Sequence, residues 1–120
     1  MPEVARKNGV DTVAAPDGAP GTPCDSGFQC DAPTTQYTDK GSSTVFVGGI
    51  GVVREGDTMT PHTTIPCGCP VHTPPMVACS ANVIVEGKRL ARLGDLYIAD
   101  GVSHPISSGM PTVIDGSPRA

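Results

Sequence analysis

One pattern is written three times along this chain, and that repetition limits the possible folds more than any other feature. The fullest copy runs Thr44-Val45-Phe46-Val47-Gly48-Gly49-Ile50-Gly51-Val52-Val53-Arg54-Glu55-Gly56-Asp57, and it returns as Asn82-Val83-Ile84-Val85-Glu86-Gly87-Lys88-Arg89-Leu90-Ala91-Arg92-Leu93-Gly94-Asp95. A third copy opens at Pro111-Thr112-Val113-Ile114-Asp115-Gly116 and stops at Ala120, before its Gly-Asp. The missing half stands at the other end of the chain, where Ala5-Arg6-Lys7-Asn8-Gly9-Val10-Asp11 reads like Ala91-Arg92-Leu93-Gly94-Asp95 with two residues inserted.

Each copy predicts a β-hairpin. Two short runs of β-branched or aromatic residues flank Gly48-Gly49, and a type I′ or II′ turn needs the positive φ that glycine adopts without strain. Glu86-Gly87 and Asp115-Gly116 stand at the matching places in the other copies. Because the chain starts with the back half of a unit and ends with the front half, its two ends together complete one. The expected architecture is therefore all-β: a small pseudo-threefold cone of three hairpin repeats, closed so that the last strand lies beside the first and shields edges that would otherwise aggregate. Asp11, Asp57 and Asp95 would occupy equivalent places, as would the loops that follow them. All 120 residues are expected to form one domain, with an irregular Pro- and Gly-rich loop over about 12–43.

Composition narrows the function. With 2 Phe, 2 Tyr and no Trp the chain cannot bury a large aromatic core, so another device must help hold it together. The 15 Gly and 13 Pro argue for turns over helix. Eight basic against twelve acidic residues leave a formal charge of −4, which offers no field to draw in nucleic acid or an anionic membrane. No stretch approaches the roughly 18 apolar residues of a membrane-spanning helix, and Met1-Pro2-Glu3-Val4-Ala5-Arg6-Lys7 is not followed by a signal-peptide core; synthesis in the cytoplasm is expected. Five cysteines, an odd number, fit metal ligation with thiols left over better than a closed disulfide framework. Cys24 and Cys30 read as free thiols first, with a small disulfide or a metal site as alternatives.

The candidate chemistry follows Asp57 and Asp95. All three histidines lie there: His62 and His72 in Thr58–His72, with Cys67-Gly68-Cys69 between them, and His104 after Asp95. A loop histidine is ordinarily solvated, and a Cys-x-Cys pair can be two buried thiols. Convergence of the loops on a threefold axis would instead bring His62, His72 and His104 together with one of the two cysteines. Three imidazoles and a thiolate suit tetrahedral Zn²⁺, and four protein ligands leave no open position, so the expected role of the ion is structural. A zinc-dependent hydrolase using Asp57, Asp95 or Glu55 as general base is the enzymatic alternative; recurrence of Gly-Asp in every unit favours a structural role for it. A free-standing zinc module that binds another protein is the other alternative.

The repeated Gly-Asp, the Val-Phe-Val-Gly-Gly and Val-Ile-Val-Glu-Gly hairpins, and the segments Gly51-Val52-Val53-Arg54, Leu90-Ala91-Arg92 and Ser117-Pro118-Arg119-Ala120 together resemble the PAAR-repeat family. The resemblance spans essentially the whole chain and is weakest over residues 12–43; the literal Pro-Ala-Ala-Arg signature is absent. It implies a sharp tip that binds zinc near its apex and caps the trimeric β-helical spike of a contractile injection machine, either a phage tail or a type VI secretion apparatus. The implied ligands are His62, Cys67 in preference to Cys69, His72 and His104. The implied partners are one spike trimer per chain and, transiently, the target cell envelope. No nucleic acid, small-molecule substrate or catalytic activity is implied. Assembly would occur in the virion tail or secretion apparatus, with delivery to the target cell surface.

Overall fold

The computed structural model describes residues 3–15, 34–61, 73–80, 82–99 and 102–114, and among them the chain is all-β. Its strands are β1 (Glu3–Val4), β2 (Thr12–Ala15), β3 (Thr34–Tyr37), β4 (Phe46–Val47), β5 (Ile50–Gly51), β6 (Met76–Ala78), β7 (Ile84–Val85), β8 (Lys88–Arg89), β9 (Leu96–Ala99), β10 (Val102–Pro105) and β11 (Met110–Ile114). The molecule has one long and two equal short dimensions, 42 × 24 × 24 Å, the proportions of a body built around an axis.

The repeat appears as three hairpins, β4–β5, β7–β8 and the pair made by the two chain ends, β1–β11. Gly48 and Gly49 have φ of 60° and 81°, and Glu86 and Gly87 have 55° and 79°. Positive φ at both central residues is the type I′ turn, whose twist matches that of the strands it joins. In the terminal pair Ile114 lies opposite Glu3 and Met110 opposite Val4, with a register shift between them. Ile114 therefore matches Ile84, opposite Arg89, and is one residue out of step with the alignment on Asp115-Gly116.

Three short segments, one per unit, meet in a ring. The amide of Ala5 donates to the carbonyl of Ala91 (3.1 Å), that of Ala91 to Val53 (2.9 Å), and that of Val53 back to Ala5 (3.0 Å). A second set closes further out with donation running the other way round: Lys7 to Gly51 (2.9 Å), Glu55 to Arg89 (2.7 Å) and Leu93 to Glu3 (2.7 Å). Single β-bridges Arg6–Val52, Arg54–Leu90 and Val4–Arg92 complete the same rotation. The expected pseudo-threefold closure is thus written into the backbone. Ala5, Val53 and Ala91 are fully buried, because three chains approaching one axis leave room only for small side chains.

The ring divides the core in two. On the hairpin side Val4, Val52 and Leu90 pack with Val85 and Val47. On the other side Ala5, Val53 and Ala91 join Val13, Met59, Met76, Cys79, Tyr97 and Ile106. That second cluster fills a prism of strands leaving the ring after each aspartate. Walking round it, β2 pairs with β3, Thr38 bridges Met59, Thr58 bridges Pro75, β6 pairs with β9, β9 with β10, and Ile106 bridges back to Val13. The circle closes, and closure removes the open edge that a flat sheet of this length would leave.

This corrects the sequence reading in two places. The ends of the 12–43 stretch are the paired strands β2 and β3, and the segment after Asp95 is the hairpin β9–β10 with His104 on a strand rather than in a loop. Strands of four residues separated by Pro and Gly look irregular along the chain; their partners lie elsewhere in the prism, where burial alternates along Thr12–Ala15.

An arginine–aspartate hook fixes the point where each unit leaves the ring. Asp11, Asp57 and Asp95 accept from the amides of Arg6 (2.6 Å), Arg54 (2.8 Å) and Arg92 (2.8 Å) respectively. The Arg54 and Arg92 guanidinium groups close the hook from the side at 2.9 and 3.0 Å, whereas Arg6 Nε stands 3.7 Å from Asp11. The third hook is the most enclosed, with side-chain exposures of 1% and 0%. Removing one partner of a buried ion pair strands the other, so Asp95→Ala is expected to cost about 3–5 kcal/mol in denaturant unfolding. Arg89→Ala breaks the solvent-exposed pair with Glu55 and should cost no more than about 1 kcal/mol in the same measurement. Gly51 offers a steric test: a Cβ there would collide with the backbone carbonyl of Ser42 and the Lys7 side chain, so Gly51→Ala should destabilise by about 1–3 kcal/mol through overpacking.

Candidate functional site

At the prism end, His104 is the sequence-predicted ligand whose surroundings are described. It lies on β10 two residues before Ile106, on the same inward face, and is fully buried. Gln36 and Pro74 hold the corresponding places ahead of Thr38 and Met76, so the imidazole is not repeated in the other units. Its Nδ1 lies 3.2 Å from the carbonyl oxygen of Tyr97, directly across the β9–β10 pair. Tyr97 was not among the predicted residues, yet its ring fills the core of the prism. Burial first, then the charges of Asp57, Asp11 and Asp39, push its phenol well above the usual range. The Tyr97 hydroxyl is buried with no hydrogen-bond partner among the described residues.

His62, Cys67 and His72 lie outside the described residues, as do Cys69, Cys24 and Cys30. Of the described stretches that flank the His62–His72 segment, one carries Thr58 and the other Pro75, and these two residues bridge each other. Among the described residues no three His, Cys, Asp or Glu side chains come together as a metal-binding group. Cys79, the cysteine that is described, is a buried free thiol; burial, aided by Glu55 and Asp95, pushes its pKa up to about 11, so it stays protonated and unreactive near neutral pH.

The carboxylates considered as general bases are committed elsewhere. Asp57 accepts the Arg54 amide and both sides of its guanidinium, and Asp95 does the same for Arg92. Glu55 pairs with exposed Arg89. Each Gly-Asp is thus part of a turn closing on its own arginine, the structural role that its recurrence suggests.

The hairpin end carries a different feature. Phe46, Ile84 and Ile114 occupy equivalent positions, opposite Gly51, Arg89 and Glu3, and are 55%, 55% and 49% exposed. Beside them Val45, Val83 and Val113 are 38%, 36% and 36% exposed. One apolar pair therefore projects from every facet, on strands that among the described residues are paired along one edge. Near one turn the carboxylate of Glu86 takes the hydroxyls of Ser42 and Thr44 and an Arg54 N–H (2.8 Å), contacts that hold it below the usual carboxylate range. The sequence carried a signal for the apolar pairs, the recurrence of Val-Phe or Val-Ile shortly ahead of the turn residues in each unit, but inward and outward positions of so short a strand are separable only once its pairing is known.

Comparison with curated proteins gave no match. The family described as PAAR motif matches residues 31–102, more than half of the chain, from just ahead of β3 to the start of β10. That span contains two of the three hooks and the hairpins β4–β5 and β7–β8, and the chain belongs to the PAAR-motif family.

Proposed function

We propose that this chain is a zinc-stabilised tip that caps the trimeric central spike of a contractile injection machine and sharpens it for entry into a target envelope. The observation that carries this reading is the threefold repetition of an exposed apolar pair, Val45/Phe46, Val83/Ile84 and Val113/Ile114, at the hairpin end. A single chain presents three near-identical facets there, which is the shape required to meet a partner of true threefold symmetry with one copy. Exposed apolar patches of this regularity mark interaction surfaces more often than chance.

The opposite end would be pinned by metal. His62, Cys67, His72 and His104 are the proposed ligands of one Zn²⁺, and a buried imidazole beside a main-chain carbonyl suits such a site. When bound, the ion would supply cross-links between segments of different units and no reaction. The chain's own residues would do the rest: the hooks hold the ribbons in place, and the closed prism resists splaying when the tip is driven forward. In zinc-finger peptides structural coordination contributes about 10–16 kcal/mol, comparable to the whole stability of a typical domain.

Elemental analysis of the purified protein should find one zinc per chain, lost together with solubility in His72→Ala and in His104→Ala; a metal-free protein that remains folded would defeat the structural-metal reading. Mixed with the spike trimer of its own system, the chain should bind at one copy per trimer, a ratio read by mass photometry or multi-angle scattering. Full burial of a Phe or Ile side chain is worth about 1.5–3 kcal/mol, so Phe46→Asp or Ile84→Asp should weaken that binding at least tenfold with the fold intact. Three chains per trimer, or indifference to both substitutions, would argue against capping.

A further inference from the structure

We infer that Arg6 receives a carboxylate of the spike protein, a contact made once per assembled tip; this rests on the capping role proposed above and adds the chemistry of one facet.

Two facets of the hairpin end can be compared residue by residue. At the second, the hook arginine meets the turn of the next hairpin: Arg54 Nη1 donates to Glu86 (2.8 Å), and the same carboxylate takes the hydroxyls of Thr44 (2.6 Å) and Ser42. At the first, Arg6 meets the turn of the β4–β5 hairpin, where Gly48 holds the place of Glu86 with φ of 60° against 55°. A Cβ on Gly48 would stand 3.2 Å from Arg6 Nη1, so this guanidinium addresses its turn as Arg54 does, but the turn is Gly48-Gly49 and offers no acid. The place of Ser42 is held by Met110, which lies opposite Val4 as Ser42 lies against Val52, and that of Thr44 by Thr112.

Arg6 is left short of partners. Its Nε is buried with no hydrogen bond, 3.7 Å from Asp11, which is its one carboxylate within ion-pair distance among the described residues. Asp11 is itself engaged by the Arg6 amide and the Ser108 hydroxyl (3.0 Å). A guanidinium partly withdrawn from water and not closed on an anion is unfavourable, and a charge-assisted hydrogen bond relieves it. The Arg6 side chain is 16% exposed, and Glu86 at the matching place beside Arg54 is 32% exposed, so a carboxylate so placed lies within reach of a second protein. Met110 is unbranched and flexible enough to turn aside for it. The spot is continuous with the apolar face: Gly48 follows Phe46 by two residues, and Thr112 directly precedes Val113.

A spike of true threefold symmetry brings the same acid to every facet. Glu86 already occupies Arg54, and Arg92 is 1% exposed within its hook, so the contact forms with whichever spike copy lies under Arg6. The apolar pairs supply the threefold fit, and Arg6 makes one facet unlike the others.

The wild-type chain would be titrated with sodium acetate at constant ionic strength while the arginine Nε–H signals are followed by ¹H–¹⁵N correlation. The Arg6 signal should shift saturably and that of Arg54 should stay, with exposed Arg89 showing only a small, non-saturating drift. An Arg6 response no larger than that of Arg89 overturns the site. In parallel, Arg6→Gln, which keeps the main-chain amide of its hook, should weaken binding to the spike trimer about tenfold, whereas Lys40→Gln at an exposed residue should leave it unchanged. Wild-type affinity in a folded Arg6→Gln chain overturns the spike as the source of the carboxylate. A wild-type chain that ignores the trimer removes the capping reading and the spike with it, while the acetate response still establishes or refutes Arg6 as a carboxylate site.

Discussion

Everything in this molecule depends on three backbone segments hydrogen-bonding to one another in a circle. Ala5, Val53 and Ala91 each give one amide and take one in return, so no polar group at the axis is left to be satisfied by a side chain or by water. The arrangement demands small residues at its centre and equivalent segments on all three sides. Given the ring, the remaining elements have few places to go: hairpins extend from one face and strand ribbons from the other.

The Arg–Asp hooks turn that ring into a scaffold with two unlike ends. Each aspartate accepts the amide of its own arginine and reverses the chain into a ribbon, and the guanidinium closes on the carboxylate in the second and third units while it stands off in the first. On the hairpin side the symmetry extends to the surface, where the exposures of Phe46, Ile84 and Ile114 nearly coincide. Towards the far end of the prism it decays: Thr38, Met76 and Ile106 share one position, and Gln36, Pro74 and His104 the next. A symmetric end suits a symmetric partner, whereas at the other end the buried imidazole of His104 has no counterpart at the matching described positions.

The hairpins were legible because a type I′ turn has a chemical signature, and Gly48-Gly49 and Glu86-Gly87 carry it. The Gly-Asp recurrence was legible for a similar reason, since a carboxylate a few residues after an arginine can cap the turn it belongs to. The ribbons were not. Thr12–Ala15, Thr34–Tyr37 and Leu96–Ala99 are too short to show a period, and what stabilises them is pairing with segments distant in sequence. Met59 drew no notice as a core residue because its neighbours in the chain are threonines and a proline, and Tyr97 because it stands between Leu96 and Ile98 in a run too short to show its facing; their neighbours in space are Val13, Met76 and Ile106.

The recurrence of one hairpin pattern was enough by itself to determine an all-β chain of repeated units, because short β-branched runs flanking turn residues carry the period of strands and not of helices. Sequence also singled out the residue types able to hold a metal. Only the tertiary structure decided that the Asp-led segments close into a prism, that His104 is a buried strand residue tied to Tyr97, and that the three apolar pairs face outward together. Those outcomes hang on register and on contacts across the axis, and a strand of two to four residues does not declare its facing until its partners are in place.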